Sequence, residues 1–195
     1  GMLAAFEEQI TPEVSCVVCT HVSNVFGFIL PVEEIAKLCR ERKVPFILDA
    51  SQSAGTLSVH MDELGCAFIG MPGHKGLYGP QGTGILLCGE GRETSPLLEG
   101  GTGSLSARQE MPDFLPDVPG IAGLLEGIRF VKKRGEGNIL RREKDLTRLA
   151  VRGLSAIPGV TLYTDPMLNA QAGVLSFQLD KLDCEEVGER LGQRG

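Results

Sequence analysis

The sequence predicts an α/β fold: a mainly parallel sheet with flanking helices, followed by part of a smaller α+β unit. Three observations carry that expectation. Short β-branched apolar runs alternate with helical stretches through the first half of the chain. Polar residues gather just after those runs, at the strand ends where open parallel sheets bind ligands. After Gly91 the rhythm gives way to a glycine loop, a proline-spaced stretch and longer, charged helices.

Val14 to Thr20 is long enough for a buried strand and runs into the polar cluster Thr20-His21-Val22-Ser23-Asn24. Pro31 opens a helix through Cys39, because proline suits a first turn and Ile35, Leu38 and Cys39 share one face. Pro45 to Leu48 is a second strand, ending at Asp49. Met61 to Leu64 is a helical turn closed by Gly65. Cys66 to Ile69 and Gly84 to Cys88 are the third and fourth strands. This alternation implies right-handed crossovers and a sheet covered on both faces. Further on, Pro112, Pro116 and Pro119 mark an irregular stretch. Helices then follow over Ile121 to Arg134 and Asn138 to Ala156, strands over Gly159 to Tyr163 and Ala172 to Leu179, and a helix from Cys184. The expected division is a partial large domain over 1–136 and a partial small domain over 137–195.

Composition narrows the class. Nineteen basic against 25 acidic side chains give a net charge of −6, against the basic surplus that nucleic-acid binders carry. With 42% hydrophobic and 23% charged residues the chain packs a core instead of staying disordered. Its 26 glycines point to tight turns, or to backbone brought close to a ligand. No apolar stretch reaches the ~18 residues of a membrane span, and Gly1-Met2-Leu3 has no signal-peptide pattern, Gly1 reading as a tag remnant. Six cysteines, mostly in apolar segments, suggest a reduced, cytoplasmic protein. Cys16 and Cys19 have a CxxC spacing, but a strand sends them to opposite faces and no second pair completes a zinc site, so no metal is expected. His21 reads as a hydrogen-bonded structural histidine and His60 as a surface residue.

The chemistry gathers where strands end. Asn24 follows the first strand, Asp49, Ser51 and Gln52 the second, and His74 and Lys75 the third. Singly, each has a plainer reading: Asp49 caps a turn, Lys75 is solvated, Asn24 serves a turn. Together they suit a Schiff-base lysine. Such an amine must lose its proton to attack a carbonyl, and a carboxylate must keep a pyridine nitrogen protonated. Lys75 lies in the glycine-rich segment Gly73-His74-Lys75-Gly76-Leu77-Tyr78-Gly79-Pro80, and Asp49 supplies the carboxylate. No GxxxxGK[ST] is present, and Gly79 to Gly84 lacks Rossmann spacing, so a nucleotide site is not expected.

Four segments, Thr20-His21-Val22-Ser23-Asn24-Val25-Phe26-Gly27, Leu48-Asp49-Ala50-Ser51-Gln52-Ser53-Ala54-Gly55, Gly73 to Gly82 and Gly100-Gly101-Thr102-Gly103-Ser104, resemble the class V aminotransferase family, in particular its cysteine desulfurase-like branch. The resemblance implies the type I pyridoxal-phosphate fold, with part of its large domain and part of its small domain. It implies pyridoxal 5′-phosphate as cofactor, held by Lys75 as the catalytic lysine. Asp49 would face the ring nitrogen, Gln52 and Asn24 the phenolic oxygen, and His74 the phosphate. Gly101 and Thr102 would reach the phosphate of a neighbouring subunit, making a homodimer.

In many members a serine stands three positions before the lysine and meets the phosphate. Here that position is Pro72, and Ser51 is the candidate replacement. Members are also roughly double this length. The matching segment is therefore expected to be a fragment with weak cofactor affinity, its phosphate loop, nucleophilic cysteine and carboxylate-binding arginine lying elsewhere. The implied substrate is an amino acid, most directly cysteine, converted to alanine with a persulfide formed and handed to a sulfur-acceptor protein. Two other readings stand beside it: another class V reaction such as transamination, and a truncated domain that binds no cofactor.

Overall fold

The computed structural model describes residues 1–92 and 117–195. In chain order the elements are α1 (Met2–Gln9), β1 (Val17–Thr20), α2 (Val32–Arg42), β2 (Phe46–Asp49), α3 (Met61–Leu64), β3 (Phe68–Pro72), β4 (Gly84–Cys88), α4 (Val118–Arg134), α5 (Glu136–Ser155), β5 (Val160–Tyr163), β6 (Ser176–Leu179) and α6 (Cys184–Gly192). Strands β1 to β4 form one sheet in sequential order, and β5 and β6 an antiparallel pair. The joins β1–β2 and β2–β3 are parallel, with Thr20 opposite Asp49 and Asp49 opposite Gly70.

Helix α2 forms where its charges suit its dipole. Glu33 and Glu34 lie in its first turn, and Arg40 and Arg42 in its last. It buries Val32, Ile35, Ala36 and Cys39 against Val17, Cys19, Phe46, Leu48 and Ile69, which alternation places on one sheet face. At about 1.5–3 kcal/mol for each large apolar side chain buried, this layer is the main stabilising contact of the first half. Helix α4 is capped by Asp117, whose side chain accepts from Gly120 N, and seats Leu124 in the same core beside Leu77.

The structure refines the sequence expectations in several details. Strand β4 is antiparallel to β3, since the short loop after Pro72 returns the chain without a crossover. Among the described residues that strand lies at the edge of the sheet and is mostly exposed. Among the described residues the sheet is covered chiefly on the α2 face, with Val18 65% and Leu86 63% exposed on the other. The third strand starts at Phe68, with Cys66 and Ala67 buried just ahead of it. Helix α1 was not anticipated from the sequence; it exposes most of its residues and packs beside α2 while Phe6 and Ile10 reach the core.

A candidate active site at the carboxyl end of the sheet

Asp49 is the last residue of β2. Register places it between Thr20 and Gly70 on the face away from α2. Its backbone is fixed on both sides: His21 N donates to Asp49 O, and Ala50 N to Gly70 O, each at 2.9 Å. Its carboxylate Oδ1 accepts from Ser51 N at 2.9 Å and also from the Ser51 hydroxyl. Among the described residues no donor meets Oδ2. Next to it, a Cβ added to Gly70 would meet nothing within 4 Å, so the sheet face is open beside the carboxylate.

The lysine loop is built from tight backbone turns. Gly79 N donates to Gly73 O at 2.7 Å, Gly73 N to Thr83 O at 2.7 Å and Tyr78 N to Lys75 O at 2.9 Å. Tyr78 adopts a left-handed conformation at φ 56°, costly for a bulky residue and held here by those bonds. The side chains of His74 and Lys75 are exposed. Glycine is required where this loop meets the segment after Asp49. A Cβ on Gly55 would lie 2.1 Å from Gly76 O, and one on Gly76 would lie 2.2 Å from Ala54 O. The Asp49-to-Gly55 turn and the Lys75 loop therefore touch backbone to backbone.

Asn24 is exposed in a turn tied by Ser23, whose Oγ accepts from Val25 N and Phe26 N. Gln52 is half-buried, next to Ser51, and its amide makes no hydrogen bond among the described residues. Gly101 and Thr102 lie outside the described residues. Pro72 ends β3 and offers no hydroxyl. His21 is 5% exposed, on the α2 side with Glu33 and Arg40 around it, and its Nδ1 has no partner. The sequence reading expected a hydrogen-bonded histidine, and among the described residues the ring has no such bond. His60 is exposed.

One contributor escaped sequence reasoning. Gln171, 1% exposed, donates from Nε2 to Phe26 O at 2.7 Å and to Val174 O at 2.6 Å, and accepts from Asp165 N at 3.0 Å. Gly27, at φ 70°, has room for no side chain there: a Cβ would lie 2.3 Å from Val174 O. Together with the Ser176 hydroxyl on Val25 O, these contacts strap the Asn24 turn to the C-terminal part of the chain. No local pattern signals a bond across 145 positions.

Among the described residues no group of three or more His, Cys, Asp or Glu is arranged to hold a metal ion. The donor set instead fits a flat, cationic heteroaromatic ring with an anionic tail. Asp49 offers one carboxylate oxygen with no partner among the described residues, the space beside Gly70 is open, and an amine and an imidazole stand exposed on the adjoining loop.

Comparison with known proteins accords with this arrangement. The family model for aminotransferase class-V matches residues 2–195. A probable cysteine desulfurase of Methanothermobacter thermautotrophicus is 30% identical over 96% of this chain and 49% of its own length. A cysteine desulfurase of Escherichia coli is 33% identical over 90% of this chain and 46% of its own length. Among solved structures, the apo cysteine desulfurase of Thermococcus onnurineus NA1 superposes with a TM-score of 0.87 at 33% identity, covering 98% of this chain and 50% of that one. The cysteine desulfurase CsdA of Escherichia coli gives 0.84 at 22% identity, a likeness of fold. The chain spans about half the length of the curated relatives it matches.

Proposed function

The chain belongs to the class V aminotransferase family, and from that premise we propose that it supplies the lysine half of a pyridoxal 5′-phosphate site acting on L-cysteine. The product is L-alanine, with the sulfur passed to a thiolate as a persulfide. The observation that carries the reading is the backbone contact of Gly55 with Gly76, which brings the Asp49 turn and the Lys75 loop to one end of the sheet. No helix among the described residues is long and apolar enough to cross a membrane.

When bound, the cofactor supplies an aldehyde that condenses with amines and a ring that draws electron density from the substrate Cα. The chain's own residues do the rest. Asp49 would be the carboxylate that pairs with the ring nitrogen and favours its protonated form. Lys75 would anchor the cofactor through its amine and would serve as the base that takes the substrate Cα proton. Gln52 and Asn24 offer amides to the phenolic oxygen, and His74 an N–H to the phosphate. Gly101 and Thr102 belong to a loop proposed to reach the cofactor of a partner subunit in a homodimer. The proposed boundary between 1–136 and 137–195 runs just inside the start of α5. A sulfur-acceptor protein and a cytoplasmic setting complete the proposal.

Titration with pyridoxal phosphate tests it. The expected result is a long-wavelength absorbance from cofactor bonded to a lysine amine, absent in Lys75→Ala. A wild-type chain with no such band at saturating cofactor would overturn the reading.

A further inference from the structure

We propose that Ser51 is a positioning residue for Asp49, fixing the carboxylate so that Oδ2 faces the cofactor ring. The inference rests on the function proposed above. Asp49 Oδ1 accepts from both the N–H and the O–H of Ser51, while the described residues send no donor to Oδ2. One oxygen of the carboxylate is thus held by a protein turn, the other has no donor among the described residues, and the space beside neighbouring Gly70 is open.

A backbone N–H alone leaves the carboxylate free to swing about its Cβ–Cγ bond, and terminal torsions of this kind are broad. A second donor on the same oxygen, arriving from the side chain, removes that freedom. Ser51 is held in turn by the bonds of the segment it opens: Ser53 N and Ala54 N both donate to Ala50 O, at 3.1 and 2.9 Å. A hydroxyl has one hydrogen, and Asp49 takes it, so Ser51 has no donor left for a phosphate. This assigns Ser51 to the opposite end of the cofactor from the one the family resemblance suggested. The missing serine at Pro72 is not made good by this residue.

The test uses pyridoxal phosphate labelled with 15N in the ring, bound to the wild-type chain and to Ser51→Ala and Ser51→Thr. The ring 15N shift reports protonation at the atom Asp49 faces, and titration reports affinity. Wild type and Ser51→Thr should give a protonated ring nitrogen across the neutral range. Ser51→Ala should bind cofactor about tenfold more weakly, as loss of a hydrogen bond to a charged group implies, with the ring nitrogen losing its proton at lower pH. A structural role alone would lower the melting temperature without moving the nitrogen signal. If Ser51→Ala does not fold, Ser51→Cys carries the comparison, having similar size and a weak S–H donor. A nitrogen signal in the alanine or cysteine variant equal to wild type across pH overturns the inference and leaves the proposed function standing. Failure of the wild type to take up cofactor on Lys75 overturns the proposed function, and this inference with it.

Discussion

Burial leaves Nδ1 of His21 without a hydrogen-bond partner and pushes the imidazole pKa below its ordinary value, while Glu33 pulls the other way. The folded state therefore prefers the neutral ring. In the unfolded chain the ring titrates near 6.5, so below that pH the unfolded state binds the proton that the folded state resists. The stability tied to His21 is full above about pH 6.5 and falls away as pH drops toward the folded-state pKa. Arg40, His60 and Glu63 line the same small cavity as His21 and Glu33, and they set how far the loss goes. Urea unfolding at pH 7.5 and pH 5 should show wild type losing more stability than His21→Gln; equal losses would refute this account. Sequence alone singled out Asp49 and Lys75 at this scale through their combination, since each residue taken singly has a plainer use. The partner of Ser51 was not legible, since a hydroxyl two positions from a carboxylate can turn to either side.

At the scale of elements, the apolar runs and their turns placed most strands and helices within two or three residues. What they could not give was pairing. The return of β4 beside β3 depends on loop geometry, and the exposure of that edge depends on what packs over it. The strap between the Asn24 turn and the C-terminal segment is the clearest case, since the Gln171 amide at its centre has no local signature. In Gln171→Ala, Phe26 O and Val174 O lose their donor, and Asp165 N its acceptor. Leaving partly buried polar groups unpaired costs about 1–3 kcal/mol each, so a net loss of about 2–4 kcal/mol is expected once solvent relaxation is allowed for. Denaturant unfolding measures it, and a change below about 0.5 kcal/mol, the usual range for surface substitutions, would show that the strap carries little. Limited proteolysis of the same variant should open the 23–28 turn first.

At the scale of the whole chain, the core formed by the described residues lies mainly on the α2 side of the sheet, and the cysteines record that asymmetry. Cys19, Cys39 and Cys66 are buried in the α2 layer, whereas Cys16, Cys88 and Cys184 are exposed. Burial pushes Cys19 and Cys66 up to about 11, with Cys39 and Asp49 adding to the effect at Cys19. Thiolate, not thiol, is the reactive form, so access and charge act together to protect these side chains. A thiol reagent at pH 8 should therefore modify three cysteines of the native chain quickly and all six after denaturation. Mass mapping should place the fast labels at Cys16, Cys88 and Cys184. The slow sites should follow the opening of the α2 layer, so their rate should match that of local unfolding. Fast labelling at Cys19 would mean that α2 does not cover β1 in solution, and the Asp49 carboxylate would then lose the rigid strand that delivers it.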